Sequence, residues 1–278
     1  MISTLAYGLT IGGILYIISI GLTLTFGTMR IVNFAHALIY TVGAYVVMTA
    51  TANIWNNFIF GGVVAVAVSV ALSYVIERFV IRRLYGQSID YAIIATYAVL
   101  LIGLDAIKWV WGATPMPLSD PLSGASIALG GVDLPAYRIV VIGVALVVFF
   151  GLEAFFRRTI VGKIVVAGLE NKEAVRSLGI NVDRYFTIVF LIGGGLAALG
   201  GVLYAPITSI HPYMGFQVLL LCFAVVLVGG MGNVRGSFAA AFALGLVIAV
   251  TGRFWGPAAE TMVFVVMAVV LIFKPIET

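Results

Sequence analysis

The sequence predicts an all-α fold, a polytopic bundle of about eight to nine membrane-crossing helices. Three observations indicate this class. The 278 residues are 63% hydrophobic and 9% charged, whereas soluble domains have about 25% charged residues. Apolar runs long enough to cross a bilayer follow one another along the chain. The Lys and Arg residues collect in alternate connections between these runs. No soluble domain of this length could hide so much apolar surface.

Nine apolar segments are candidate transmembrane helices. The first has no preceding Lys or Arg, so we expect a retained span and not a cleaved signal peptide. The seventh has only 15 residues and could be a half-helix or a re-entrant element, which leaves eight or nine crossings. The segments are about Ile2–Phe26, Ile31–Ala52, Phe58–Ile76, Tyr91–Trp111, Tyr137–Phe156, Tyr185–Ala205, Phe216–Gly230, Ser237–Gly252 and Ala258–Phe273.

The positive charges predict that the amino terminus lies outside and the carboxyl terminus inside. In this orientation twelve of the fifteen Lys and Arg residues are inside and three are outside, as the positive-inside rule requires. The outer three are Lys108, Arg138 and Arg253. The inner twelve are Arg30, Arg78, Arg82, Arg83, Arg157, Arg158, Lys163, Lys172, Arg176, Arg184, Arg235 and Lys274.

The longest polar interval, residues 157–184, holds six of these cations between two apolar runs. We therefore predict one transmembrane domain over residues 1–278, with 157–184 as a cytoplasmic loop. Within the loop, Glu173 and Ala174 begin a short helix that Gly179 ends, because glycine tolerates the backbone conformation that closes a helix. Such a helix suits docking on a cytoplasmic partner. On the other side, 112–136 has no Lys or Arg and forms the largest outer loop, either a connector or a cap.

Polar side chains gather where the first two segments meet. Thr25, Thr28, Asn33 and His36 surround the turn at Arg30. Polar groups inside a membrane protein face the bundle or a wet cavity, since exposure to lipid is costly. They are candidates for a substrate pathway, and hydrogen bonding between helices is the alternative interpretation. Gln217, beside Tyr213, is a weaker candidate near the outer mouth.

Catalysis is not indicated. The sequence has two histidines far apart, one cysteine, Cys222, and no phosphate-binding glycine loop, so we expect no metal site, no disulfide and no ATP hydrolysis by this chain. Asp105 and Lys108 stand three positions apart on one helical face, where a neutralised ion pair is favoured over a substrate contact. The basic loops lie between membrane segments and do not suggest nucleic acid.

Several motifs resemble those of branched-chain amino-acid ABC importer permeases. The stretch G-L-T-L-T-F-G-T-M-R-I-V-N-F-A-H-A from Gly21 is similar to the family's amino-terminal signature. The resemblance resumes at S-L-G-I-N-V-D-R from Ser177 and at G-G-G-L-A-A-L-G-G-V-L from Gly193, and it extends to the stretch between Met214 and Gly236. In such permeases the cytoplasmic loop carries E-A-A-x-x-x-G, which seats in a cleft of the ATPase.

Here that motif stands as E-A-V-R-S-L-G, with Val175 in the third place. The resemblance implies a coupling loop at 157–184, whose ATPase-coupling residues are Glu173, Ala174, Arg176, Leu178 and Gly179. Val175 and Leu178 would pack into the ATPase cleft, with Glu173 and Arg176 at its rim.

The partners that the resemblance implies are a second homologous permease subunit, two ATP-binding cassette ATPases that bind the ATP and Mg, and a periplasmic or extracellular solute-binding protein. The location it implies is the bacterial plasma membrane. The cargo would be branched-chain amino acids or a related small solute; urea or short amides and small aromatic or dicarboxylic acids are alternatives. An alternative from another functional class is an autonomous channel for a small solute. The long cationic loop disfavours this alternative, because a channel needs no ATPase-docking helix.

Overall fold

The computed structural model describes residues 1–29, 31–52, 57–129 and 132–273, so Arg30 and Lys274, both assigned to the inner side above, lie outside it. All nine apolar segments form helices, and two further helices lie in the 157–184 interval. The elements are α1 (Ile2–Met29), α2 (Ala35–Ala50), α3 (Phe58–Phe79), α4 (Ile89–Trp111), β1 (Ser126–Leu129), β2 (Val132–Pro135), α5 (Ala136–Arg158), α6 (Ile160–Glu170), α7 (Lys172–Ser177), α8 (Val182–Tyr204), α9 (Met214–Gly229), α10 (Val234–Phe254) and α11 (Ala259–Phe273).

Seven of the described helical stretches, counting residues 256–258 together with α11, are long and apolar enough to cross a membrane. The chain is therefore a polytopic helical membrane protein. The helices α2 and α9 have 16 residues each, which corresponds to about 24 Å against a hydrocarbon core of about 30 Å. The short seventh segment was foreseen from the sequence, whereas the short second one was not.

The structure refines two expectations. The second apolar segment does not become helical at Ile31, since α2 begins at Ala35; residues 31–34 are a break that Thr96 stabilises, as described below. The chain is helical as predicted apart from one small hairpin in the outer loop, where β1 and β2 pair antiparallel with Ser126 opposite Pro135. The sequence holds Gly130-Gly131 between these strands, a dipeptide suited to a tight hairpin.

The helix α1 lies at the centre of the bundle and packs most extensively against α10 and α8. Small residues allow this close approach: a β-carbon on Gly245 of α10 would lie 2.4 Å from the backbone nitrogen of Gly12 on α1. Helices in lipid associate where small residues let their backbones meet. In contrast, α4, α5 and α11 bury little of their surface in the chain and leave apolar faces for lipid or another subunit.

The two ends of the bundle differ in charge. One end, which we name the α6–α7 end, contains those two helices together with the last turns of α1, α3 and α5 and the first turns of α8 and α10. Ten described cations lie there, namely Arg78, Arg82, Arg83, Arg157, Arg158, Lys163, Lys172, Arg176, Arg184 and Arg235. Lys108, Arg138 and Arg253 lie at the opposite end.

Candidate functional site

A break in the helical backbone precedes α2. The hydroxyl of Thr96, fully buried on α4, accepts a hydrogen bond from the Phe34 N–H at 3.1 Å. The same oxygen lies 3.2 Å from the Val32 carbonyl and 2.7 Å from the Ala92 carbonyl and donates to one of them at a time. Non-helical backbone at membrane depth is tolerated where protein covers it and satisfies its polar groups, and Thr96 does this for the break.

Asn33 sits in this break with its amide buried. Its side chain is 1% exposed, and neither Oδ1 nor Nδ2 has a hydrogen-bond partner among the residues described. A buried amide without partners costs about 1–3 kcal/mol. Such a group is a candidate for contact with a bound molecule, because a ligand would supply the missing hydrogen bonds.

His36 is held in a different way. Its Nε2 donates a hydrogen bond to the Ile18 carbonyl oxygen of α1 at 2.9 Å, and the ring is 1% exposed. The ring packs against Gly21 at the point where α1 meets α8, since a β-carbon on Gly21 would lie 2.7 Å from the imidazole and 2.4 Å from the Gly193 carbonyl oxygen. His36 therefore joins α2 to α1 and already has a partner.

The threonines of the predicted pathway hydrogen-bond within their own helix. Thr25 bonds the carbonyl oxygens of Gly21 and Leu22, and Thr28 bonds that of Leu24 at 2.7 Å. Ser and Thr in helices commonly bond back to the preceding turn, so these two hydroxyl groups offer little to a solute in this conformation.

Gln217 is exposed on the first turn of α9. That turn packs against α2, because a β-carbon on Gly215 would lie 2.2 Å from the Ala37 carbonyl oxygen. The Gln217 side chain points away from the chain's core, whereas Asn33 and His36 are buried in it. The backbone of α9 at Gly215 thus contacts α2, whereas the Gln217 amide does not lie beside Asn33.

At the α6–α7 end the predicted short helix is present. The Asn171 side chain accepts a hydrogen bond from the Ala174 N–H at 2.9 Å and caps α7. Gly179 follows the helix with φ +78°, a conformation that glycine adopts without strain. Leu178 is 76% exposed, and the other residues assigned to ATPase coupling are also exposed, namely Glu173, Ala174, Arg176 and Gly179.

Val175 is the exception. It is 7% exposed and packs with Val182 and Phe186 of α8, and partly buried Met29 contacts this cluster. The expectation that Val175 enters a partner's cleft is therefore wrong for this conformation, because the turn at Gly179 folds α8 back over that face of α7. Arg176 is tied to α8 as well, through Asp183 at 2.6 Å.

The loop prediction missed a helix. Residues 160–170 form α6, whose amino terminus is capped by the Thr159 hydroxyl, an acceptor for the Gly162 N–H at 3.0 Å. A cavity of about 740 Å³ separates α6 from the turn before α10, and Lys163 and Glu170 are among its lining residues. Beside it, Glu153 pairs with Arg157 at 2.8 Å and with Arg235 at 2.5 Å.

Sequence reasoning also missed a buried carboxylate at this end. Glu77, in the last turn of α3, is 1% exposed. Its Oε1 accepts hydrogen bonds from the Thr187 hydroxyl of α8 at 2.7 Å and from the Tyr85 hydroxyl at 3.3 Å. Burial, and then the Glu77 carboxylate, raise the pKa of the Tyr85 phenol, so it keeps its proton. An acidic residue at the end of an apolar run is the signal that could have found it.

The opposite end has two polar features. The Lys108 ammonium pairs with Asp105 at 2.7 Å and lies 5.2 Å from the ring centre of Tyr213. This geometry fits the neutralised pair. A second cavity, about 1170 Å³ and mainly apolar, lies between α3 and α5 under residues 117–122. In the described part of the chain no three His, Cys, Asp or Glu side chains are grouped to hold a metal ion. The polar groups described here can bind and orient a small molecule.

Comparison with known proteins gives a consistent result. A family model described as "Branched-chain amino acid transport system / permease component" matches residues 4–274. The high-affinity branched-chain amino acid transport system permease protein BraD of Pseudomonas aeruginosa is 26% identical over 98% of this chain and 93% of its own length. The permease protein LivH of Escherichia coli K12 is 26% identical over 96% of this chain and 92% of its own length.

A third relative and one solved structure also match. A probable branched-chain amino acid transport permease protein, LivH of Methanocaldococcus jannaschii, is 26% identical over 84% of this chain and 75% of its own length. Among solved structures, "PsaBC from Streptococcus pneumoniae in complex with Fab" matches with a TM-score of 0.51 and 13% identity, covering 98% of this chain and 89% of that one. That likeness concerns the fold alone.

Proposed function

This chain belongs to the family of branched-chain amino acid transport system permease components, and from that premise we propose that it is a permease subunit of an ATP-driven importer of branched-chain amino acids. The observation that carries the proposal is the extent of the family match, which runs from the first turn of α1 past the end of α11. The relatives' names support the choice of cargo over ureas, amides or aromatic acids.

The proposed arrangement is a single permease domain over residues 1–278 with about eight to nine transmembrane segments, the amino terminus outside and the carboxyl terminus inside the bacterial plasma membrane. The charge difference between the two ends supports this orientation, because cytoplasmic loops carry the excess of Lys and Arg. The α6–α7 end is then cytoplasmic, with 157–184 as the coupling loop, and the hairpin of β1 and β2 is outside.

The proposed partners are a second permease subunit, two ATPases that bind ATP and Mg, and an external solute-binding protein. The exposed residues of α7 and of its closing turn support an ATPase contact at this point, and Leu178, which is exposed to solvent, would gain from burial of its apolar side chain against a partner. The exposed apolar faces of α4, α5 and α11 support contacts with lipid and with the second permease.

The proposed solute pathway runs past the break before α2. Asn33 supports this position because its amide atoms are buried and unpaired in the described part of the chain. A conformational change that opens the break would offer the amide to the ammonium and carboxylate groups of an amino acid. We propose that Thr25, Thr28 and His36 belong to the wall around this pathway. Gln217, exposed on the first turn of α9, is proposed to contact the solute at a separate point of the pathway, away from Asn33.

The test is reconstitution. The chain is co-expressed with candidate ATPases and a second permease, extracted gently, and placed in proteoliposomes with the solute-binding protein. We expect ATP-dependent uptake of leucine, isoleucine or valine, abolished by Glu173→Lys combined with Gly179→Pro without loss of membrane insertion. Purification of the chain alone, or uptake that persists in the double variant, would contradict the coupling assignment.

A further inference from the structure

The carboxylate of Glu77 has an arrangement that packing alone does not explain. Only one of its oxygens is used: Oε1 accepts from Thr187 and Tyr85, and Oε2 has no hydrogen-bond partner among the described residues. Burying an incompletely satisfied carboxylate costs free energy that an apolar side chain would not. A merely structural contact between α3 and α8 would be served better by leucine or methionine.

Thr187 has two acceptors for one hydrogen. Its hydroxyl lies 2.7 Å from Glu77 Oε1 and 3.1 Å from the Asp183 carbonyl oxygen of its own helix. The hydroxyl can therefore leave Glu77 and still donate its hydrogen to the Asp183 carbonyl oxygen, which gives the α3–α8 contact two discrete states. Bistable contacts of this kind convert small displacements into changes of packing.

This contact is connected to α7. Asp183, one turn before Thr187, accepts a hydrogen bond from Arg176 of α7 at 2.6 Å. Val175 of α7 packs on the same first turns of α8 through Val182 and Phe186. A force on α7 therefore acts on the turn of α8 that carries Thr187, since the two helices share an ion pair and an apolar cluster.

The contact is also connected to the break before α2. The Tyr85 hydroxyl lies 3.3 Å from Glu77 Oε1 and 3.6 Å from the sulfur of Met29. Met29 is the last residue of α1 and also packs against the Val175 cluster. Asn33 follows four positions later. Met29 thus contacts Tyr85, which bonds Glu77, and also the apolar cluster on which α7 packs. It lies at the end of α1 that leads into the break.

We propose that Glu77 is a positioning residue for transport. Through its hydrogen bonds it holds α3, α8 and the end of α1 in one arrangement. When α7 is displaced, the Thr187 hydroxyl turns away from Glu77 and this arrangement is released. The proposal rests on the proposed function, in which ATPases move α7. Glu77 acts through the hydrogen bonds that Oε1 accepts, so glutamine, whose Oε1 accepts the same bonds, should replace it, whereas leucine should not.

The experiment uses the assembled transporter in proteoliposomes with its binding protein and measures leucine uptake per ATP hydrolysed. In Glu77→Leu and in Thr187→Val we expect this ratio to fall about tenfold, as loss of a buried hydrogen bond that leaves its partner unsatisfied predicts. Basal ATP hydrolysis and the yield of assembled complex should stay unchanged. Glu77→Gln should retain the ratio. Ser73→Ala is the matched control, since Ser73 is buried one turn earlier on α3 and, among the described residues, its hydroxyl bonds only the Ser69 carbonyl oxygen.

Two results would overturn the inference: an unchanged ratio in Glu77→Leu, or a parallel fall of uptake, hydrolysis and yield, which is the signature of a structural role. If Glu77→Leu does not assemble, Thr187→Val decides by the same criteria. Absence of ATP-driven uptake in the unsubstituted transporter would instead refute the proposed function, and this inference with it.

Discussion

Gly27 and Gly232 pack backbone against backbone: a β-carbon on Gly27 would lie 2.5 Å from the Cα atom of Gly232. The two glycines belong to the stretches 26–35 and 228–239, which resemble one another in sequence. Near this contact the hydroxyl oxygens of Thr23 and Ser237 are 2.9 Å apart. The end of α1 and the turn before α10 are thus fastened together at the α6–α7 end.

Gly27→Ala should destabilise the chain by about 1–3 kcal/mol, because the added methyl group has no space and the backbones must separate. The measurement is the thermal unfolding midpoint of the purified protein in detergent. Gly143→Ala on α5 is the matched control, since a β-carbon there meets nothing within 4 Å. It should leave the midpoint unchanged or raise it slightly. Equal midpoints for both variants would contradict the close packing.

Gly179→Ala should weaken ATPase binding roughly tenfold. A non-glycine residue at φ +78° costs about 1–2 kcal/mol, and the strain falls on the turn that ends α7. The measurement is the apparent affinity of the purified ATPases for the permease complex. Gly86→Ala tests specificity: Gly86 has φ +82° in open space at the same end of the bundle, and its substitution should strain the chain equally without changing ATPase affinity.

Asn33→Leu should retain or raise stability while it abolishes uptake. The asparagine amide loses solvation without gaining hydrogen bonds from the described chain, so its removal relieves about 1–3 kcal/mol. His36→Ala should lower the stability of the chain, because it removes the hydrogen bond to the Ile18 carbonyl oxygen and leaves a cavity in the core. The measurements are the unfolding midpoint and the leucine uptake of both variants. Uptake at the wild-type rate in Asn33→Leu would contradict the proposal that Asn33 contacts the solute.

Substitutions at Leu178 and Val175 should have different effects, the first on ATPase binding and the second on the stability of the chain. Leu178→Asp changes a side chain that is 76% exposed, so stability should shift by no more than about 0.5 kcal/mol while ATPase association is lost. Val175→Ala removes two buried methyl groups and should cost about 1.5 kcal/mol of stability. If Val175→Ala leaves stability unchanged and Leu178→Asp lowers it, their assignment to the inside and outside of α7 is reversed.

The features that could be predicted from the sequence are those that depend on neighbouring residues in the chain. Apolar runs predicted all nine segments as helices because lipid leaves a backbone few alternatives. Glu173, Ala174 and the closing Gly179 predicted α7, because glycine tolerates the backbone conformation that ends a helix; the structure adds the Asn171 cap. The break at 31–34 was hidden because three of its four residues are apolar and because its stabilising partner, Thr96, comes over 60 positions later. Glu77 and Thr187 are 110 positions apart, so their contact is a property of the fold and not of either segment.

The dependence of the break on Thr96 has a consequence for biogenesis. During synthesis α1 and the start of α2 reach the membrane well before α4, so the Phe34 N–H and Val32 carbonyl that Thr96 will satisfy have no protein cover at first. A 16-residue α2 gains little from lipid by itself. We expect α2 to stay beside the translocon until α4 arrives, and truncations that end before residue 96 to leave it incompletely integrated, as glycosylation mapping of nascent chains can show.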